Sequence, residues 1–370
     1  MKILIDGIIY SLQERGGITR YVDELLGWLS KQNEVDVLMH NKFYNSPPQG
    51  CKTFYSSNFS TIWRNKFLKY LGYPLDKAVS QKKLRNLSVG YDIFHSTYYT
   101  HYDGLKKPSV VTVHDMIHEK FFAKNFFNNL FINQKRESIN RADSIICISN
   151  QTAKDLVELY GVTPSKINVI HNGISDVFKE EVSKERIDEF LKQKGVASPY
   201  ILFVGTRSGY KNFSTLLEVY AASRISKDAK LVAVGGGELS KSEIDLIKKL
   251  KLEGKILHYG GLTDREVAIL YSGSLAFVFP SLYEGFGFPL LEAMSCGTLV
   301  LASDIPVFKE IAGSCPVYFD PNKSESIADA FSKLEQNSGE RISKGITLSR
   351  GYSWERTAEE TAKVYKKLIV

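Results

Sequence analysis

Three features of this 370-residue sequence predict an α/β protein of two Rossmann-like, doubly wound domains facing a central cleft. Short apolar runs alternate repeatedly with helix-like segments. The runs are short, rich in Val and Ile and apolar on both faces, as buried parallel strands are. There are twelve of them, too many for one ordinary sheet, and strand–helix–strand repetition implies right-handed crossovers in two sheets. The length also suits more than one core.

In chain order the predicted strands are KILIDGI, VDVLMH, DIFHS, SVVTVHD, SIICIS and INVIHNG, then YILFVG, KLVAVGG, KILHYGG, LAFVFPS, LVLASD and PVYF. Between the two groups the stretch 175–198 is charged and has no buried strand. It reads as a linker, 179–197, with a short surface helix between domains 1–178 and 198–351. The last segment, about 352–370, has apolar positions at helical spacing and no strand after it, and is expected to pack back on the first domain.

Hydrophobic content of 43% and charged content of 24% are ordinary for a globular protein. No stretch reaches the roughly 18 to 20 apolar residues of a membrane span. The opening MKILIDGIIY reads as a first strand, not a signal peptide, because Asp6 interrupts it. Cys51, Cys147, Cys296 and Cys315 form no CxxC pair, which argues against zinc and for a reducing, cytoplasmic setting. The net charge of +7 is concentrated in WRNKFLKY (63–70) and KAVSQKKLR (77–85). These are either solvated helical faces or a patch for an anionic membrane or phosphorylated lipid acceptor. No nucleic-acid-binding motif accompanies them.

Ligands of open parallel sheets bind beyond the carboxyl ends of the strands, so the residues that follow each strand matter most. Gly16 and Gly17 precede an amphipathic helix; they form an anion-binding turn or an ordinary one. His114 follows SVVTV and is expected to look into the cleft, with His95 similarly placed after DIF. Phe121, Phe122, Phe126, Phe127 and Phe131 suggest a core helix by default, or a surface for a lipid acceptor. Arg207 and Lys211, in GTRSGYKN, suit a diphosphate, or form a solvated basic loop. Asn212 or Ser214 is a candidate cap for the helix that follows. Gly236, in a Gly-Gly-Gly turn, and Leu262, in the turn before a helix capped by Thr263, are placed near a nucleotide. Neither turn fits a P-loop or dinucleotide fingerprint.

The stretch YEGFGFPLLEAMSCGTLVLASD carries Glu284 before a Gly-Phe-Gly turn and Glu292 within a helix. Pro289 suits the first helical position, so Gly285, Phe286, Gly287 and Phe288 lie at a helix N-terminus. Glu292 follows about one turn, roughly 5 Å, into the helix. The two acids are not aimed at one atom, as a retaining glycosidase pair must be. They are better placed to hold two parts of one long ligand with phosphates between. No Asp-x-Asp pair occurs, so no divalent-metal site of that kind is expected.

EGFGFPLLEAMSCGTLVLASD resembles the Glu-x7-Glu signature of glycosyltransferase family 4, retaining enzymes of GT-B fold. RGGITRY, VVTVHD, ADSIICISNQTAKDL, VIHNGIS, VGTRSGYKN and YSWERTA resemble further segments of that family, across most of the chain. One departure is Tyr210 before Lys211-Asn212, where many relatives have Arg; the arginine match then rests on Arg207. The resemblance implies a nucleotide-sugar donor held mainly by domain 198–351, UDP-glucose-type first and GDP-mannose next. It implies Glu292 on the ribose, Glu284 on the sugar, and the Gly285–Phe288 backbone on sugar and phosphate. Arg207 and Lys211 would stabilise the leaving diphosphate without a metal or other cofactor. His114 would lie near the sugar, and the Gly16–Gly17 loop would close over the phosphate. The acceptor, a glycan or lipid-linked hydroxyl, would be selected by domain 1–178, at the inner face of a membrane. An epimerase, hydrolase or phosphorylase on the same fold, or a non-catalytic nucleotide-sugar-binding subunit, is the competing reading.

Overall fold

The computed structural model describes residues 1–370 except 15, 40–46, 56–89, 125, 197, 208, 335–337 and 370, and not the side chains of 55 and 127. Both basic segments, 63–70 and 77–85, and the Phe127 side chain therefore lie outside the described residues. The chain divides into two compact units, Met1–Gly173 with Trp354–Val370, and Ile174–Ser353.

The first unit is built on seven parallel strands: β1 Lys2–Asp6, β2 Glu34–Met39, β3 Lys52–Tyr55, β4 Ile93–Ser96, β5 Ser109–Val113, β6 Ser144–Cys147 and β7 Ile167–Val169. Their order in the sheet is β3-β2-β1-β4-β5-β6-β7. The described strands of this sheet pair in parallel, with Leu4 opposite Asp36 on one side and Phe94 on the other. The strand missing from the sequence reading is β3, KTFY. It is an edge strand with polar residues at its start, so it lacks the continuous apolar run by which buried strands are recognised.

The last helix, Trp354–Ile369, belongs to this unit. Trp354 lies edge-on to Tyr21 of the helix Gly17–Leu29, with ring centroids 6.1 Å apart. The Thr357 hydroxyl donates to the His171 carbonyl at 2.8 Å. The Tyr365 hydroxyl hydrogen-bonds His95 Nδ1. His95 Nε2 bonds the Thr112 hydroxyl at 2.8 Å, which bonds the Tyr21 hydroxyl at 3.0 Å. One buried polar chain thus ties the C-terminal helix to β4, β5 and the helix Gly17–Leu29. His95 serves this chain and does not face a ligand.

The second unit has six parallel strands: β8 Tyr200–Val204, β9 Lys230–Val234, β10 Ile256–Tyr259, β11 Ala276–Phe279, β12 Val300–Ser303 and β13 Val317–Phe319. Their order, β10-β9-β8-β11-β12-β13, is the same doubly wound arrangement. Its core packs Phe203, Phe213, Leu216 and Tyr220 against Leu231, Val278 and Leu301.

The stretch read as a linker lies within this unit. Phe178 is fully buried and meets Tyr271 edge-on at 6.2 Å. The helix Lys184–Lys194 is capped by Ser183, whose hydroxyl accepts from the Arg186 N–H, and buries Phe190 and Leu191. Its charged residues lie toward solvent, and Phe190 and Leu191 anchor it with Ile187 half-buried beside them, which is why composition alone suggested a linker.

The helix Asp264–Gly273 lies beside it. A methyl group on Gly273 would sit 2.7 Å from Ile187 Cγ2 and 2.9 Å from the Tyr200 hydroxyl. Gly273→Ala therefore overpacks this contact even though alanine favours a helix more than glycine does. We expect it to destabilise the protein by about 1–2 kcal/mol, read as a lower urea midpoint. An unchanged or raised midpoint would show that the two helices do not pack this tightly.

Candidate functional site

In the second sheet β8 and β11 are neighbours whose following helices pass to opposite faces, and this topological switch opens a crevice at their carboxyl ends. Two loops leave from it, Gly205–Asn212 after β8 and Pro280–Gly287 after β11. The Leu282 N–H donates to the Tyr210 carbonyl at 2.8 Å and holds the loops together. Beside that bond Lys211 Nζ lies 2.6 Å from Glu284 Oε1. Both side chains are about nine-tenths buried, and the ammonium stands 5.3 Å from the rings of Tyr210 and Phe279. A loop cation and a loop carboxylate are thus brought together from 73 positions apart.

Arg207 is placed differently from its expected role. Its Nε donates to Glu243 Oε1 at 2.6 Å. Its Nη1 donates to the Gly235 carbonyl, and its Nη2 to the carbonyls of Gly237 and Glu238 at 3.0 and 2.8 Å. The guanidinium braces the turn after β9 and does not project as a phosphate ligand. That turn needs its glycines: Gly235, Gly236 and Gly237 all have positive φ, and a Cβ on Gly236 would lie 2.8 Å from Arg207 Nη1. Gly236 therefore shapes the turn that Arg207 fills.

The helix Phe288–Ser295 begins after Gly287, with φ of +125° and no side-chain cap. A Cβ there would come within 3.2 Å of the Phe308 ring. Pro289 occupies the second helical position, one later than the sequence suggested. Phe286 is buried between Phe288 and Tyr352, at 5.4 and 6.0 Å, and Gly285 is buried beside it. Glu292, in the same helix, is buried and accepts from the Tyr271 hydroxyl at 3.3 Å. Glu284 and Glu292 therefore have separate partners and do not share one. Asn212 stands at the helix N-cap position in a left-handed conformation, but its amide donates to the Pro321 carbonyl at 2.9 Å and caps nothing. Thr263 caps its helix reciprocally with Glu266, as expected, and half-buried Leu262 precedes it.

In the first unit His114 follows β5 and is buried. Its Nε2–H donates to the Thr97 carbonyl at 2.8 Å, which leaves Nδ1 as the ring's acceptor. Its backbone N–H donates to the Tyr99 hydroxyl at 3.1 Å, and Tyr21 meets the ring edge-on at 5.0 Å. Gly16 and Gly17 are exposed at the start of the helix Gly17–Leu29. Gly16 has an extended backbone, and a Cβ would meet only the flexible end of Gln13, so the fold does not demand glycine there. The Phe-rich segment departs from its default core reading: Phe126 is 70% exposed, and Phe121, Phe122 and Leu130 are exposed beside it. Phe131 turns inward to Tyr99 at 5.7 Å. Tyr271, Tyr99 and Thr97 gave no sequence signal for their roles, since their partners are remote in the chain.

With this geometry in hand, comparison with known proteins is decisive. Residues 186–345 match the Glycosyl transferases group 1 family and residues 15–177 match Glycosyltransferase Family 4. The chain is 31% identical, over 80% of its length and 79% of the relative's, to the N-acetylgalactosamine-N,N'-diacetylbacillosaminyl-diphospho-undecaprenol 4-alpha-N-acetylgalactosaminyltransferase of Campylobacter jejuni. It belongs to glycosyltransferase family 4. This family 4 chain is also 27% identical over 63% of its length to the O-antigen chain mannosyltransferase B of Escherichia coli. It spans 62% of that relative and about a third of the serotype-specific mannosyltransferase WbdA. The sucrose-phosphate synthase of Thermosynechococcus elongatus superposes with a TM-score of 0.79 at 19% identity, covering 100% of this chain and 99% of that one. Anabaena HepE in complex with UDP-glucose superposes at 0.78 and 18% identity, covering all of both chains. The family 4 chain has the GT-B fold.

Burial pushes the His114 imidazole down to about 4 and the His95 imidazole to about 3. Both stay neutral in the folded protein while the unfolded chain takes up protons below about pH 6.5. Their contribution is fully present above that pH and is lost as the pH falls toward the folded values. We expect the urea midpoint to drop between pH 6.5 and 5, with a shallower drop in His95→Asn. Parallel pH dependence in both proteins would refute the assignment for His95.

Proposed function

We propose that this protein is a retaining, metal-independent hexosyltransferase. It would move a sugar from a nucleotide diphosphate donor to a hydroxyl of a glycan or lipid-linked acceptor in polysaccharide assembly. The observation that carries this reading is the Lys211–Glu284 pair at 2.6 Å in the switch-point crevice of the second sheet. As the anomeric C–O bond to the donor breaks, negative charge grows on the departing diphosphate. A preorganised ammonium and a helix start lacking a side-chain cap oppose that charge, which is the work a metal does elsewhere. Lys211 turns from Glu284 toward the phosphate when the donor enters, and Glu284 is then released to the sugar hydroxyls. Glu292 takes the ribose hydroxyls, with the backbone of Gly285, Phe286, Gly287 and Phe288 between the two acids. Gly236 and Leu262 flank the base end of this crevice. For the first unit by itself, the reading makes neutral His114 a hydrogen-bonding group for a sugar and the Gly16–Gly17 turn a group for a phosphate.

Retention follows from front-face attack. The acceptor oxygen bonds the anomeric carbon as the phosphate leaves, and the acceptor proton passes to that phosphate. The exposed Phe121, Phe122 and Phe126 face suits the hydrocarbon of a lipid-linked acceptor at a membrane surface. The relatives' names set N-acetylgalactosaminyl and mannosyl donors beside UDP-glucose in the panel to be tested.

Thermal-shift screening with UDP-glucose, UDP-N-acetylgalactosamine and GDP-mannose reads donor choice, since a ligand that binds the native state raises the melting temperature. With the stabilising donor, Lys211→Ala and Glu284→Ala are each expected to reduce transfer about 100-fold or more, with a melting temperature lowered by the buried charge that each leaves unpaired. Arg207→Met is expected chiefly to lower the melting temperature. Transfer near wild-type rates in both Lys211→Ala and Glu284→Ala would overturn the site, and interconversion of free nucleotide sugars would make the protein an epimerase.

A further inference from the structure

Lys135, on the helix Phe126–Arg141, is the one lysine among the largest fully buried side chains of the described residues, 0% exposed. Burying an ammonium is costly unless its donors are met, so its partners are informative. Its Nζ donates to the Asp115 carbonyl, the residue after His114. It pairs with Glu119 at 3.1 Å and stands 5.0 Å from the centre of the Tyr99 ring. Glu119 in turn accepts from the Tyr160 hydroxyl at the end of the helix Asn150–Tyr160.

Lys135 does not act alone. Phe131, Gln134, Lys135 and Ser138 follow the i, i+3, i+4, i+7 spacing of one helix face. Phe131 packs on Tyr99, Gln134 donates to the Tyr99 carbonyl at 3.1 Å, and Ser138 donates to the Thr100 carbonyl at 2.9 Å. That face holds the loop after β4, and the loop holds His114 at two points, through the Thr97 carbonyl and the Tyr99 hydroxyl. Tyr99 has a φ of +58°, a left-handed conformation that is strained for an aromatic residue and persists only where its surroundings impose it. Beyond His114, Lys135 also grips the backbone at Asp115, and Phe131 packs on His118 at 4.4 Å.

We infer that Lys135 is a positioning residue for His114, fixing the imidazole's orientation and its Nε2–H tautomer by clamping the loops after β4 and β5. Its value for turnover rests on the proposed role of His114 at the sugar; the clamp itself does not. The charged and titratable groups facing His114 are Asp115 and Lys135, with His95 behind it and Tyr21, Tyr98 and Tyr99 around it. Lys135 helps keep the imidazole uncharged, and Asp115 opposes it.

The test is nitrogen-15 NMR of the histidine side chains in the full chain, with His114 assigned by its loss in His114→Gln. Wild type is expected to show a neutral Nε2–H tautomer at pH 6. In Glu119→Gln the amide oxygen can still accept from Lys135, whose bond to the Asp115 carbonyl is kept, so that signal is expected to be unchanged while the melting temperature falls. Glu119→Gln with Lys135→Met removes both buried charges, so no unpaired ion is left to unfold the protein. In this double variant the signal is expected to shift toward a tautomer mixture, with His114 taking up its proton at higher pH. Turnover of UDP-glucose is expected to fall about tenfold to a hundredfold with KM little changed. An Nδ1–H tautomer in wild type, or identical His114 signals in the single and double variants, would overturn the inference. A shifted signal with unchanged turnover would leave the clamp standing and remove His114 from the chemistry.

Discussion

The second unit depends on one topological constraint. Six parallel strands ordered β10-β9-β8-β11-β12-β13 must reverse direction of growth between β8 and β11. At that point the connecting loops that follow lead to opposite faces of the sheet, the place where open α/β sheets take ligands. Everything of chemical interest in this unit comes from those loops or their neighbours. Lys211 ends the first loop and Glu284 lies in the second, with the Leu282–Tyr210 backbone bond setting their spacing. An ion pair so nearly dehydrated is worth little as a stability device, because desolvation offsets much of its attraction. It is well suited to a site in which each member is later given to a different part of one ligand.

Arg207 illustrates how a fold decides between two readings of a residue. By spacing it looked like a second cation for phosphate. In the structure its fork is spent on four carbonyls, those of Gly235, Gly236, Gly237 and Glu238, and on Glu243, at a turn whose glycines have positive φ. Arginine fits this task because its planar fork can serve several acceptors at once.

The first unit solves a different problem, that of holding polar side chains in a dry interior. His95 is bonded at both ring nitrogens, within a chain running from Tyr365 to Tyr21. His114 and Lys135 are held by backbone carbonyls and by Tyr99. Such networks stabilise only when fully satisfied, and they then fix one arrangement strongly. A neutral imidazole whose Nε2–H is already committed can only accept through Nδ1, and that sets which hydroxyl it is able to receive.

The sequence by itself determined the class of the fold and twelve of the thirteen strands among the described residues, since buried parallel strands announce themselves by apolar runs and helix starts by Gly, Pro and Thr. It also carried the family likeness of the Glu284–Glu292 segment. Edge strand β3 escaped it because half-exposed strands lack that apolar signal. The stretch 179–197 reads in sequence as a linker with a short surface helix; the helix is there, and its anchoring by Phe190 and Leu191 does not register in composition. Only the tertiary structure decided that Lys211 meets Glu284, that Arg207 turns to a glycine turn, that His95 braces a helix from the far end of the chain, and that Lys135 is buried behind His114. The reason is physical. A side chain's role depends on the partners that replace its water, and for these residues the partners are brought in by strand order, not by neighbours in sequence.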